Sequence, residues 1–191
     1  ITPATGDMRM PLQGKKLNDQ IAYTFILQKE GYLTKEFTYT KNLNRPGEYK
    51  IHEEMDVSMI KIGVGSDLAK VLEINPIYFD LNKYNIRKDA AVELEKIIKV
   101  MNENPGIEIE LGSHTDCRSS VAYNQKLSQN RAAASAEYIK KRITNPERIY
   151  GKGYGESKLK NNCSCEGAVK SSCSEAEHQL NRRTEFVIVK M

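Results

Sequence analysis

From Tyr123 to Ile143 the chain runs through Ala, Leu, Lys and Gln with no proline or glycine to interrupt it. Such a run predicts a long α-helix, because straight-chain residues lose little rotamer freedom there and no breaker intervenes. Just upstream, Ile107-Glu108-Ile109-Glu110-Leu111 alternates apolar and acidic residues with the two-residue period of a strand that buries one face. A strand that feeds a long helix predicts a two-layer α/β arrangement with helices on one sheet face. The remaining pattern agrees. Ile77 to Leu81 reads as a strand. Lys88 to Asn104 reads as an amphipathic helix with Ala91, Leu94, Ile97, Ile98 and Met101 inward, ended by Asn104-Pro105-Gly106. Further strands are expected near Arg148 to Lys152 and from Thr184 to Val189, with a cysteine-bearing loop between them.

The helix also organises chemistry. Asn124, Leu127, Ser128 and Arg131 fall at i, i+3, i+4 and i+7, on one stripe. Asp116 lies just before the helix, after Ser113-His114-Thr115 at the end of the strand. A fixed carboxylate answers an ammonium, and a guanidinium fork takes a carboxylate with two parallel hydrogen bonds. The pair therefore suits an amino-acid head group. Taken alone, Asp116 reads as a loop or capping acid, and Arg131 as the partner of a structural acid. The two are expected to bridge directly in an empty site, and an exposed pair of that kind contributes only about 0–1 kcal/mol.

With 191 residues, 39% hydrophobic and 28% charged, the chain has globular composition and room for one domain or two small ones. Residues 1–70 have a different texture. Ile21 to Leu27 and Phe37 to Thr40 are rich in β-formers, and Tyr49 to His52 and Val57 to Ile62 read as further strands. A small β-rich segment followed by an α+β domain at 71–191 is the expected organisation. No apolar stretch is long enough to cross a bilayer. The chain opens on Ile1-Thr2-Pro3 and is read as a fragment of a longer exported protein, monomeric in this form.

The net charge of +4 is mild, and Lys140, Lys141, Arg142, Arg148 and Lys152 read as a solvated helix end. With no Trp and little aromatic interleaving among the basic residues, nucleic-acid recognition is not expected. His114 beside Asp116 could suggest catalysis, but no nucleophile elbow accompanies it, so it reads as a structural imidazole. Gly151-Lys152-Gly153-Tyr154-Gly155-Glu156 lacks phosphate-loop spacing. Cys117, Cys163, Cys165 and Cys173 suggest an oxidising compartment, and four cysteines permit three full pairings. A bridge from Cys117 to either Cys163 or Cys165 is preferred, with Cys173 taking the remaining partner. A zinc site from Cys163, Cys165, Cys173 and His178 is disfavoured, since Cys-x-Cys is a poor ligand spacing. Neither metal nor cofactor is expected.

Five segments in order carry a family resemblance: Ile77-Tyr78-Phe79-Asp80; Ser113-His114-Thr115-Asp116; Tyr123-Asn124 with Leu127-Ser128 and Arg131-Ala132; Gly153-Tyr154-Gly155-Glu156; and Asn181-Arg182-Arg183-Thr184-Glu185-Phe186. From about Ile74 to the end the chain resembles OmpA-like C-terminal domains, and its cysteines resemble the Bacteroidetes branch of that family. Lys29-Glu30-Gly31-Tyr32 resembles the closing strands of a carboxypeptidase-regulatory-like β-sandwich. The first resemblance implies a βαβαβ-type mixed sheet, no enzymatic activity, and peptidoglycan binding in the periplasm at the outer membrane. By position, Asp116 and Arg131 would bind the free end of diaminopimelate in the stem peptide, supported by Asn124. Asp80 and Leu81 would line the same pocket, with Thr115, Leu127 and Ser128 among its contacts. It also implies outer-membrane or periplasmic protein partners. The alternative reading is an envelope assembly scaffold, for example one associated with type IX secretion. Ser113 stands where the family usually has glycine, and Cys117-Arg118 follows the aspartate in place of a small residue. Of Arg182 and Arg183, one is expected to approach the pocket acid and the other to face solvent.

Overall fold

A computed structural model of the chain describes residues 9–80, 83–165, 169 and 171–191. The chain divides into two compact units, residues 1–28 with 35–59, and residues 29–34 with 60–191. Residues 60–70, grouped with the first segment on sequence texture, pack in the second unit.

The first unit is an antiparallel hairpin of β1 (Gln20–Leu27) and β2 (Lys35–Asn42), in register from Gln20 opposite Asn42 to Leu27 opposite Lys35. Phe25 stacks on Phe37 across the ladder, and the Thr24 and Thr38 hydroxyls share a hydrogen bond. Ile21, Tyr39 and Leu43 form its small core. Tyr49 to His52 is not the expected strand. The helical turn α1 (Ile51–Glu54) brings the Glu54 carboxylate to the Tyr39 hydroxyl and the Lys41 ammonium. Val57 to Ile62 is not a strand either, because the Lys35 ammonium takes the Asp56 and Ser58 carbonyls and Lys61 makes only an isolated bridge to Tyr32.

The second unit carries the α+β fold. Its three-stranded sheet has the order β4 (Ile149–Gly155), β3 (Glu108–His114), β5 (Thr184–Lys190), parallel between β3 and β4 and antiparallel between β3 and β5. The short helix α2 (Leu68–Val71) precedes α3 (Lys88–Glu103) and α4 (Val121–Lys140), and α5 (Glu175–Asn181) lies between β4 and β5. The alternation of β3 places Ile109 and Leu111 in the core with Phe186, Ile188, Ile149 and the α3 residues Leu94, Ile97 and Met101. Ala90, not Ala91, fills the first inward position of α3. Ile77 to Asp80 forms no ladder in the described residues; it is held instead from α3, where Glu93 accepts the Asn75 backbone and side-chain amides.

Both sheet edges are covered. The β5 edge is met by residues 65–67, with Asp67 also accepting the Phe186 amide. The β4 edge is met by α4. A side chain at Gly153 would put its Cβ 2.2 Å from the Gln129 nitrogen, and one at Gly151 would lie 2.4 Å from the Ala132 carbonyl oxygen. These glycines let the helix lie against the strand. Gln125, Ser128 and Gln129 then satisfy the backbone groups of Gly153, Gly155 and Gly151 that a neighbouring strand would otherwise have paired. The glycine motif is a packing device.

Arg148, read from sequence as part of a solvated basic patch, is buried. Its guanidinium donates to the Met101, Ile107 and Asn104 carbonyls and closes the end of α3.

Candidate functional site

The corner between β3 and α4 fixes Asp116. Ser120 is the helix cap, its hydroxyl accepting the Tyr123 amide, so Asp116 is released from the capping role. The Thr115 amide donates to the Gly155 carbonyl at 2.9 Å. The Asn124 amide group donates to the Asp116 carbonyl at 3.0 Å, the Ser119 carbonyl at 3.4 Å and the Glu156 carboxylate. Asn124 therefore pins the loop that carries the acid.

The Asp116 side chain is 12% exposed and heavily subscribed. Its Oδ1 accepts the Arg118 backbone amide at 3.0 Å. Its Oδ2 accepts Arg118 Nε at 3.2 Å, Arg118 Nη2 at 2.7 Å and Arg182 Nη1 at 2.6 Å. Glu175, at the start of α5, joins the two arginines from the far side, accepting Arg118 Nη1 at 2.6 Å and Arg182 Nη2. The result is a ring of alternating charge. Burial alone would raise the Asp116 pKa, but the Arg118 and Arg182 bonds overcome it and bring the carboxyl from 3.8 down to about 2. A folded-state pKa below the unfolded one stabilises the fold at neutral pH, here by about 2 kcal/mol, and that contribution is lost as pH falls from 4 through 2.

Arg131 lies near the end of the third turn of α4, half-buried, its guanidinium 5.0 Å over the Phe79 ring. Its Nε donates to the Lys83 carbonyl at 3.2 Å, and Nη2 makes a long 3.5 Å contact with the Asp80 carbonyl. Among the described residues no carboxylate stands within ion-pair distance of it. Burial pushes its pKa down, and the Arg182 cation adds repulsion. An arginine stays charged regardless, so Arg131 is a partly desolvated cation that meets carbonyl oxygens and the Phe79 ring.

The expected direct Asp116–Arg131 bridge is therefore not formed. Arg118 forms a turn on the acid through its own amide, so its side chain folds back to the same carboxylate, and Arg182 arrives from the end of α5. Arg182 is the expected arginine at the acid. Arg183, expected in solvent, is instead paired with Glu185 at 2.9 Å and the Lys158 carbonyl at 3.1 Å. Asp80 is exposed and its carboxylate faces Lys83 and Arg87, leaving its carbonyl to meet Arg131. Leu81 lies outside the described residues. Leu127 is half-buried. Ser128 is fully buried, with its hydroxyl donating to the Gln125 carbonyl and accepting the Gly155 amide. Of the residues expected at the site, Asp116 is held by Arg118 and Arg182 and Arg131 by backbone carbonyls, while Asn124, Thr115 and Ser128 bond the loop and the β4 edge.

His114 is buried, stacked on Tyr154 with ring centroids 5.0 Å apart, and its Nε2 lies 3.2 Å from a Glu185 oxygen. Desolvation lowers its pKa and outweighs the pull of Glu185, which favours the neutral ring. The cysteines pair as Cys117–Cys165 and Cys163–Cys173. The Cys163 and Cys173 sulfurs approach Glu177, but both are tied up in the disulfide and offer no thiolate to a metal.

Sequence reasoning missed Arg118 and Glu175 as partners in the ring. The available signal was Ser174-Glu175-Ala176-Glu177, a capping box whose helix start places Glu175 and Arg182 at the two ends of one short helix.

Residues 78–171 match the OmpA family model, which makes this part of the chain similar to that family. The chain is 31% identical to outer membrane porin F of Pseudomonas fluorescens over 119 residues, 62% of this chain and 34% of that protein. It is 30% identical to the peptidoglycan-associated lipoprotein of Pasteurella multocida over 84 residues, 44% of this chain and 56% of that one. The chain spans between 12% and 56% of the lengths of such curated relatives. A putative MotB-like protein from Desulfovibrio vulgaris shares the fold, with a TM-score of 0.50 at 19% identity, covering 60% of this chain and 68% of that one.

Proposed function

We propose that the OmpA-like domain binds peptidoglycan without catalysis, taking the diaminopimelate residue of a stem peptide between Arg131 and Asp116. The observation that carries this reading is the Arg131 guanidinium, which meets backbone carbonyls but no carboxylate among the described residues. A half-buried cation lacking a counter-charge is what a ligand carboxylate completes, and a bidentate guanidinium–carboxylate contact is among the stronger hydrogen-bonded pairs. Asp116, held ionised by its arginine partners, would take the ammonium of the same residue. Asn124 and Ser128 act through the loop and the β4 edge, and the Asp80 carbonyl borders the arginine. The names of porin F and the peptidoglycan-associated lipoprotein are consistent with a wall ligand and an envelope location. The disulfides suit an oxidising periplasm.

Each charge-assisted bond contributes on the order of 1.5–3 kcal/mol, so one stem would bind modestly. A polymer that repeats its ligand raises the effective concentration and makes retention firm. In this reading the domain anchors an outer-membrane or periplasmic complex to the wall. A type IX secretion partner would be one such case, recognised by pull-down with the full chain. Co-sedimentation with purified sacculi tests the core of the reading. Wild type pellets and Arg131→Ala stays in solution with an unchanged circular dichroism spectrum. Equal pelleting of both proteins removes the site assignment.

A further inference from the structure

We infer that Arg118 and Glu175 make the site read the ligand's carboxylate first and its ammonium second, a selectivity that rests on the stem-peptide reading above. The charge layout carries it. Asp116 and Glu175 are balanced by Arg118 and Arg182, joined by contacts of 2.6 to 2.7 Å and the short Arg182–Glu175 bond. That ring is neutral. Arg131 adds a positive charge that no carboxylate balances among the described residues.

The two ends of a zwitterion therefore meet unequal hosts. A carboxylate meets a guanidinium with no anionic partner among the described residues. An ammonium meets a carboxylate whose Oδ2 already takes three donors and whose Oδ1 takes the Arg118 amide. A carboxylate offers about four acceptor directions in all, and the Arg118 and Arg182 cations oppose a third positive charge. Arg118 is the removable part of this device. Its side chain is 36% exposed and keeps Glu175 as an alternative partner. Arg182 sits deeper, at 25% exposure. Arg118 and Glu175 act on the ligand through Asp116, as positioning residues.

The test is calorimetric titration with three soluble stem peptides: free diaminopimelate, its side-chain amine acetylated, and its side-chain carboxylate amidated. For wild type, amidation is expected to weaken binding by more than about tenfold and acetylation by less than about threefold, following the strength of charged hydrogen bonds. Arg118→Gln removes one cation from Asp116. It is expected to raise the acetylation penalty to about tenfold while leaving the amidation penalty in place. Glu175→Gln, at an exposed position, makes the ring net positive and is expected to tighten the acetylated peptide several-fold at low salt. An acetylation penalty larger than the amidation penalty in wild type overturns the inference. So does an Arg118→Gln protein with wild-type ratios, or a Glu175→Gln protein with unchanged affinity for the acetylated peptide. If wild type binds none of the three peptides, the stem-peptide reading itself fails; if it binds free diaminopimelate but the ratios are wrong, only this inference does.

Discussion

The two walls of the site are built by opposite means. On one side α4 lies against β4 through Gly151 and Gly153, and its Gln125, Ser128 and Gln129 side chains replace a missing strand. Arg131 inherits its position from that close packing. On the other side, the described residues from Cys163 to Arg182 bury Cys163, His178 and Asn181 and no aliphatic side chain. Two disulfides and the Asp116–Arg118–Glu175–Arg182 ring hold it. Close packing answers to volume. The second wall answers to redox state and pH. A single candidate site can thus be disturbed from either side by different agents.

The sharpest way to break the first wall is volume. Gly153→Val drives a branched side chain into the α4 backbone and is expected to cost more than about 3 kcal/mol, beyond ordinary overpacking, because no flexible side chain is there to yield. Urea unfolding with a wild-type midpoint would contradict that picture. The second wall should yield to cysteine replacement. Cys117 and Cys165 are 48 residues apart and Cys163 and Cys173 only 10. Chain entropy assigns the bridges about 4 and about 3 kcal/mol, so Cys117→Ser/Cys165→Ser should be the more destabilised double variant in denaturant. Equal losses would show that loop closure is not what the longer bridge supplies.

Smaller effects sharpen the contrast. Asp116→Asn should cost about 2 kcal/mol at neutral pH and should flatten the fall in stability that wild type shows as pH drops from 4 to 2. Thermal unfolding across that range checks it, and a slope that survives the substitution points to another group, of which Glu185, held low by His114, Lys160 and Arg183, is the nearest candidate. The smallest stability effect belongs to Arg131→Ala, under about 1 kcal/mol because the side chain is only half-buried and holds no ion pair among the described residues. Its consequence should be for ligand retention alone.

The strands and long helices were readable because their periods are unambiguous. The two-residue alternation of β3 and the unbroken run of α4 leave few folds open. The charged pair was readable as residue types at fixed offsets. The pairing within the site was not. Arg118 follows Asp116 by two positions, and only the turn made by its own amide shows that its guanidinium folds back. Glu175 and Arg182 come from a helix that the cysteine-bearing loop hid, although the Ser174 capping box marked its start. Ile77 to Asp80 has strand-like residues but pairs with no strand among the described residues, and Tyr49 to His52 was turned by the reach of Glu54 to Tyr39 and Lys41. In each case a side-chain partner distant in sequence decided what local preference left open.

The role of the Arg131 guanidinium is tested most directly by titrating a soluble diaminopimelate stem peptide into wild type and Arg131→Ala under identical salt. The account predicts measurable binding to wild type and a loss of at least about tenfold in the variant, the equivalent of 1.4 kcal/mol, with the unfolding midpoint unmoved. Equal affinity for the two proteins would contradict it.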